Sequence, residues 1–82
     1  MLQAKIVINN ILVFEAQVNK VYLQTEYQGI MEIQTGYSDC ILQIKDQIKC
    51  VLNDGNFKIF EIQKAVAYIH NNILKIIETK NF

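Results

Sequence analysis

The sequence predicts an all-β fold, a small β-sandwich of about ten short strands. Stretches rich in Ile, Val and Phe alternate with polar residues at a period of two, as half-buried strands do. Clusters of Asn, Asp and Gly separate these stretches at regular intervals, which is typical of tight turns in sandwiches and barrels. The 82 residues are enough for one small domain, residues 1–82, whose core is marginal without a partner.

The first strands follow one another through recognisable signals. Ala4–Ile8 is the first strand, and Asn9-Asn10 turns the chain because Asn tolerates the left-handed conformation that tight hairpins need. Ile11–Phe14 and Ala16–Leu23 together make a long second strand. Its alternation slips near Asn19-Lys20, which predicts a β-bulge there.

The rest of the chain continues the same pattern. Gly29 and Gly36 bracket a short apolar piece, and Asn71-Asn72 turns the last hairpin. Asn53-Asp54-Gly55-Asn56 is the strongest hairpin signal, because Asp-Gly suits a type I′ turn. The strands expected after Gly36 are Cys40–Ile44, Ile48–Leu52, Phe57–Ile62, Val66–Ile69 and Ile73–Ile77.

The apolar residues of this part also permit two helices. One set at helical spacing comprises Ile41, Ile44, Ile48 and Val51. The other comprises Ile62, Val66, Ile69, Ile73 and Ile76. Strands are favoured because Ile and Val are stiff at χ1 and suit pleated surfaces. An Asn pair inside a helix would also cost roughly a few tenths of a kcal/mol per residue relative to Ala.

Composition excludes several classes of function. The formal net charge is zero and the lysines form no cluster, which argues against binding to nucleic acid or to an anionic membrane surface. No apolar run reaches the roughly 18–20 residues of a membrane span, and the N-terminus lacks a secretory signal, so we expect a cytosolic protein. Cys40 and Cys50, on neighbouring predicted strands, are then expected to be free thiols. The absence of Arg, Pro and Trp is typical of the AT-rich genomes of mollicute bacteria.

No motif in the sequence predicts catalysis, a cofactor or a metal site. His70 is the one histidine and stands at a turn, which favours a surface role over metal ligation. Ser38-Asp39 forms no triad with it on sequence grounds, and neither a P-loop nor a Gly-rich dinucleotide motif occurs. Function is therefore expected to be binding. Ile30, Tyr37 and Leu42 lie in or next to loops, where apolar side chains indicate a contact surface.

Several segments match a family pattern, without a gap from Lys5 to Leu52 and again after the Asp54-Gly55 turn. Val13-Phe14-Glu15 fits the family's VFEG, and Gly29 and Gly36 fit the outer glycines of its EGELGILPGHAP. The closing VxxNxVTVL is matched by Ile69, Asn72, Leu74, Lys75, Ile76 and Ile77. The chain thus resembles the N-terminal β-sandwich of the epsilon subunit of F-type ATP synthases, which is called delta in mitochondria.

The chain also departs from this family. The family prolines are replaced by Gln24, Thr35, Asp39 and Asp46. Tyr37 replaces the family's His and Ile30 its acid, in loops that lie at the base of the family's sandwich, so this base becomes more apolar. By family position, the resemblance implies partner contacts through Ile8, Tyr37 and Leu42 on the stalk side and through Ile30 and Tyr37 at the base. The sequence ends at Phe82, so we expect the family's C-terminal helical hairpin to be lacking.

The resemblance implies a non-catalytic central-stalk subunit of an F-type or F-type-like rotary ATPase. Its partners would be a gamma-like stalk subunit, the alpha/beta-type head, and a membrane ring or other driven machinery. It would lie at the cytoplasmic face of the membrane as part of that complex, and it would bind no nucleic acid. Two alternatives remain open at this point: a stand-alone β-sandwich adaptor of a complex without ATPase, and a small helical interaction protein.

Overall fold

The computed structural model describes residues 1–78, which form strands, turns and loops. The seven strands are β1 (Leu2–Ile8), β2 (Ile11–Val18), β3 (Lys20–Thr25), β4 (Gly29–Ile33), β5 (Cys40–Val51), β6 (Phe57–His70) and β7 (Ile73–Glu78). The predicted all-β class is confirmed, and both segments that could have been helices are strands. In residues 1–78 we find no helix long and apolar enough to cross a membrane. The expectation about the chain end at Phe82 lies outside the described residues.

The strand number differs from the expected ten because short predicted strands merge. The segment Lys45-Asp46-Gln47 interrupts pairing without ending the strand, so β5 runs through it for 12 residues. The register with β6 shifts there, and Asp46 takes the left-handed conformation with φ of 67°. The partner strand β6 is likewise continuous over 14 residues. A bulge inside one strand was thus predicted as a break between two strands, since both contain polar residues that tolerate positive φ.

All seven strands belong to one sheet of order β2-β1-β7-β6-β5-β3-β4. The pairs are antiparallel except β1 with β7, which are parallel. The two long strands belong to both halves of the sheet. β5 pairs with β6 along its length, from Phe57 to Ile69, whereas β7 pairs only with the C-terminal part of β6, from Val66 to His70.

One face of the sheet is turned inward along its whole length. The buried apolar residues form a single cluster to which every strand contributes, and the largest of them are Leu2, Ile6, Val18, Val21, Leu23, Ile33, Ile44, Ile48, Cys50, Leu74 and Ile76. The rings of Phe14 on β2 and Phe60 on β6 lie 5.2 Å apart, although these strands are not neighbours in the sheet. The sheet therefore folds over on itself and its two halves enclose one core.

The Asn pairs form the tight turns that the sequence predicts. Asn9 and Asn10 have φ values of 51° and 66°, and Asn71 and Asn72 have values of 49° and 61°. Positive φ at both central residues is the requirement of a type I′ turn, which matches the twist of the flanking strands. Both Asn-Asn hairpins are confirmed.

The hairpin at residues 53–56 is present, but its predicted turn type is wrong. Gly55 alone in this loop has positive φ, at 91°, while a type I′ turn at Asp54-Gly55 would require it of both. The Leu52 N–H donates to the Asn56 carbonyl at 2.7 Å, and the Gly55 N–H donates to the Leu52 carbonyl at 3.0 Å. This is a three-residue loop with a left-handed glycine, and the Asp54 carboxylate accepts from the Asn56 N–H at 2.9 Å.

The predicted bulge near Asn19-Lys20 is also wrong. The chain leaves β2, at one edge of the sheet, and enters β3 on the far side of β5. The Asn19 N–H donates to the Val51 carbonyl at 2.9 Å, so the crossing is held against the end of β5. The slip in alternation marks a change of partner strands, which sequence periodicity cannot distinguish from an inserted residue. The register shifts that do occur lie between Ile6/Val7, Leu23/Thr25 and Lys45/Gln47.

The two cysteines are not on neighbouring strands, contrary to expectation. Both lie on β5, where Cys40 is the first residue and pairs with Ile69, and Cys50 pairs with Lys58. Ten residues of strand span roughly 30 Å, and a disulfide requires Cα atoms within about 7 Å, so no bridge forms between them in this fold. Both thiols are free, as expected. Burial raises the pKa of the Cys50 thiol to about 11, which keeps it protonated.

Candidate partner-binding site

The residues predicted to bind a partner fall into three places, of which one is a groove. Tyr37, in the loop of residues 34–39 between β4 and β5, lies half-buried against the core. It lines a shallow depression together with Met31, Cys40 and Leu42. Leu42 is itself half-buried and packs on the same core. We refer to this depression, lined by Gln28, Met31, Gly36, Tyr37, Ser38, Cys40 and Leu42, as the loop groove.

Ile8 is not part of the loop groove. It ends β1 and pairs with Ile11 on β2 and with Glu78 on β7. The loop of Tyr37 instead lies beside Asn72, which accepts a backbone hydrogen bond from Gln3 at the start of β1. Gln3 and Ile8 are five residues apart on one strand, roughly 17 Å. The predicted stalk-side set is therefore split between two ends of the sheet.

Ile30 lies on the outward face of β4 and is 71% exposed. It lines a different depression with Tyr22, Gln24 and Lys49, among others. Its neighbour Met31 points inward and packs on the core. Because successive residues of a strand face opposite sides of the sheet, Ile30 and the loop groove are on different faces. The two residues predicted for the base, Ile30 and Tyr37, do not share a surface.

Polar side chains that the sequence analysis did not assign to the binding site fix the loop of Tyr37 to the β6–β7 hairpin. The His70 Nδ1 lies 2.6 Å from the Asp39 Oδ2, and the Asn71 N–H donates to the Asp39 Oδ1 at 3.3 Å. Near the other end of the loop, the Gly36 N–H donates to the Asn72 Oδ1 at 2.7 Å. The hydrogen bond from His70, followed by that from the Asn71 backbone, holds the pKa of the Asp39 carboxyl below its ordinary value.

The ring nitrogen of His70 that does not face Asp39 has its own neighbour. The His70 Nε2 lies 3.0 Å from the Asn71 Nδ2, so the ring nitrogen not facing Asp39 is directed at an amide and not at a hydroxyl. A Ser-His-Asp triad would need that nitrogen on the nucleophile. Among residues 1–78, no three His, Cys, Asp or Glu side chains gather as a metal site would require. The site is an apolar depression, and its loop is fixed to the β6–β7 hairpin on both sides of Tyr37.

A second exposed apolar surface lies on the outward face of β3, β5 and β6. Tyr22 and Lys49 are paired across β3 and β5, and Lys49 is paired with Ile59 on β6. The Lys49 ammonium stands 4.5 Å from the centre of the Phe57 ring and 5.9 Å from that of Tyr22. Phe57 and Ile59 are exposed by 55% and 49%. Lysine stems thus cover part of this surface and leave its apolar rings accessible.

Comparison with known proteins identifies the fold. No family model and no curated protein matches the sequence. Among solved structures, the chain is similar to a chain in the cryo-EM structure of Euglena gracilis mitochondrial ATP synthase, OSCP/F1/c-ring in rotational state 1. The TM-score is 0.86 with 13% identity over 93% of this chain, and at that identity the likeness shows a shared fold. This chain spans about half of the matched chain, covering 49% of it.

Proposed function

We propose that this protein is a non-catalytic central-stalk subunit of an F-type or F-type-like rotary ATPase, comparable to the N-terminal β-sandwich of the epsilon subunit. The observation that carries the proposal is the fold likeness to a chain of an ATP synthase, at a TM-score of 0.86. The sequence resemblance points to the same complex on separate grounds, because it was based on residue patterns such as Val13-Phe14-Glu15 and the glycines Gly29 and Gly36.

The proposed role is to bind a gamma-like stalk subunit and to link it to whatever the rotor drives. A subunit that transmits torque must be stiff, and this one has a single sheet whose core draws on every strand. The loop groove offers the half-buried apolar side chains Tyr37 and Leu42 to the stalk. Ile8 and Ile30 lie away from the groove and are candidates for separate contacts, Ile8 with the stalk and Ile30 below it.

The other partners follow from the same proposal. An alpha/beta-type head would perform ATP hydrolysis or synthesis, and the stalk would couple it to a membrane ring or to other driven machinery. The complex would lie at the cytoplasmic face of the membrane.

Purification of the protein from its native source through an affinity tag tests the proposal. We expect gamma-, alpha- and beta-type ATPase subunits to co-purify with it in fixed ratios. Tyr37→Asp should weaken this association because it places a charge in the apolar groove, whereas Tyr68→Asp, an equally large change on an exposed side chain of β6, should leave it intact. Thermal unfolding of both variants checks that they fold. Recovery of the native protein without any ATPase subunit would overturn the proposal.

The second candidate is a stand-alone adaptor of a complex without ATPase. The exposed surface around Tyr22, Lys49, Phe57 and Ile59 favours it, since this surface offers an adaptor a second face for a second partner. The same purification distinguishes the candidates, because an adaptor would co-purify with subunits unrelated to ATPases.

A further inference from the structure

The loop of Tyr37 has little backbone structure of its own. One backbone hydrogen bond forms inside it among the described residues, from the Tyr37 N–H to the Gln34 carbonyl at 3.2 Å. Its other fixed points are side-chain bonds to the β6–β7 hairpin, which is 31 to 36 residues further along the chain. Asp39 and Asn72 make these bonds on the two sides of Tyr37. The position of Tyr37 therefore depends on the hairpin more than on its own loop.

The geometry around His70 defines its tautomer. The Asn71 Nδ2 is an amide NH₂ group, which only donates, so the His70 Nε2 at 3.0 Å must accept and carries no proton. The His70 Nδ1, at 2.6 Å from a carboxylate oxygen that only accepts, must then carry the hydrogen. A neutral imidazole has one N–H, and this assignment satisfies both ring nitrogens at once.

We propose that Asp39 and Asn71 hold neutral His70 in the Nδ1–H tautomer, and that this network presets the loop groove for its partner by fixing the loop of Tyr37. Asp39 and His70 are thus positioning residues that act through Tyr37. The proposal rests on the proposed function for the identity of the partner, a gamma-like stalk subunit, but not for the state of the loop.

A fixed loop matters for binding more than for folding. The His70 and Asp39 side chains are 72% and 56% exposed, and even an ion pair at such exposure adds little to stability, so the hydrogen bond to a neutral ring adds little as well. Binding, in contrast, is weakened by every side chain and loop that must be ordered on contact. A network that orders the Tyr37 loop beforehand removes that cost from the binding step.

The tautomer is measured by NMR on protein labelled with ¹⁵N-histidine at pH 8, where an ordinary imidazole is neutral. His70 is the one histidine of the chain, so its signals need no assignment. We expect protonated Nδ1 and unprotonated Nε2 in the native protein, and a shift towards the Nε2–H form in Asp39→Ala. Asp54→Ala is the matched control, since Asp54 also caps an exposed turn but lies away from His70. A proton on Nε2 in the native protein would overturn the assignment.

The order of the loop and the affinity for the partner are measured in separate experiments. Amide exchange at Gly36 and Tyr37 should be roughly two- to tenfold faster in Asp39→Ala, which removes two exposed hydrogen bonds to the β6–β7 hairpin. Affinity for the purified gamma-like subunit should fall by about two- to tenfold. Asp54→Ala should change neither quantity. Unchanged exchange would overturn the fixed loop, and unchanged affinity with faster exchange would overturn its role in binding. If the native protein does not bind the gamma-like subunit at all, the proposed function fails, while the exchange and the tautomer still decide the network.

Discussion

Two carboxylates, Glu78 and Asp39, each tie together segments that are distant in sequence, but in opposite surroundings. Glu78 ends β7, is 3% exposed, and its Oε2 accepts the backbone N–H of Gln63 at 2.6 Å. Asp39 is exposed and binds His70 and the Asn71 N–H. Gln63 precedes Val66, the first residue of β6 that pairs with β7, so the Glu78 side chain binds β6 next to that pairing.

The comparison shows that burial determines how much a carboxylate contributes to the stability of the fold. The Glu78 carboxylate is itself buried, and the hydrogen bond that it accepts from the Gln63 N–H offsets the cost of that burial. Water can replace Asp39 at little cost in stability, since both members of its pair are exposed. The buried carboxylate therefore stabilises the fold, whereas the exposed one determines where a loop stands. Substitutions at Glu78 should therefore change the free energy of unfolding most, and substitutions at Asp39 least.

Glu78→Ala should have the largest effect on stability. It leaves the part-buried Gln63 N–H without its acceptor, which lowers the free energy of unfolding by about 1–3 kcal/mol. Glu78→Gln keeps an amide oxygen at the same position and should recover most of this loss. Urea unfolding measures both. Equal stability of the Ala and Gln variants would show that the hydrogen bond is not the cause.

Asp46→Val should have the second-largest effect on stability. Asp46 has φ of 67° in the bulge where β5 bends, and a β-branched residue adopts this conformation at a cost of about 1–2 kcal/mol. Asp46→Gly fits the conformation and should stay within roughly 0.5 kcal/mol of the native protein. The measurement is again urea unfolding. If Val were tolerated as well as Gly, the bend of β5 would not depend on the left-handed residue.

Thr25→Val should cost about 1 kcal/mol. Thr25 is 6% exposed, and its hydroxyl donates to the Gly29 carbonyl at 2.6 Å and accepts from the Gln28 N–H at 3.0 Å. The variant keeps the shape of the side chain and removes both bonds at the β3–β4 turn. Thr25→Ser keeps the hydroxyl and serves as the control. A shift in the urea midpoint for Ser as large as that for Val would assign the effect to packing instead.

Asp39 should show the smallest effect, and a defined pH dependence. Its pKa is lowered in the folded protein by the bonds from His70 and Asn71, so its stabilisation is present above the unfolded pKa of about 3.9. The stabilisation is lost as the pH falls through the lower, folded pKa. The difference in urea midpoint between the native protein and Asp39→Ala should therefore shrink in acid, below about pH 4. A difference that grew in acid would contradict this sign.

Local features of the fold could be predicted from the sequence. The pairs Asn9-Asn10 and Asn71-Asn72 turn the chain because Asn tolerates positive φ, a property that needs no tertiary context. Alternation along Ala4–Ile8 likewise predicts a strand, and Ala4 and Ile6, which share one side of it, are buried.

Features that depend on distant partners could not be predicted. Lys45-Asp46-Gln47 has the composition of a turn, and pairing with β6 is what keeps it inside one strand. The pairing of Asp39 with His70 joins residues 31 positions apart and leaves no mark in either local sequence. Cys40 and Cys50 were assigned to different strands for the same reason, since β5 was divided in two.

The most direct test of the central claim is a cross-link from the loop groove in the native complex. A photoreactive phenylalanine analogue in place of Tyr37 keeps an aromatic ring at the proposed stalk contact, and the same analogue in place of Tyr68 is the control. We predict that illumination links position 37 to a gamma-type ATPase subunit and leaves position 68 without that link. Cross-links from position 37 to proteins other than rotary ATPase subunits would contradict the account.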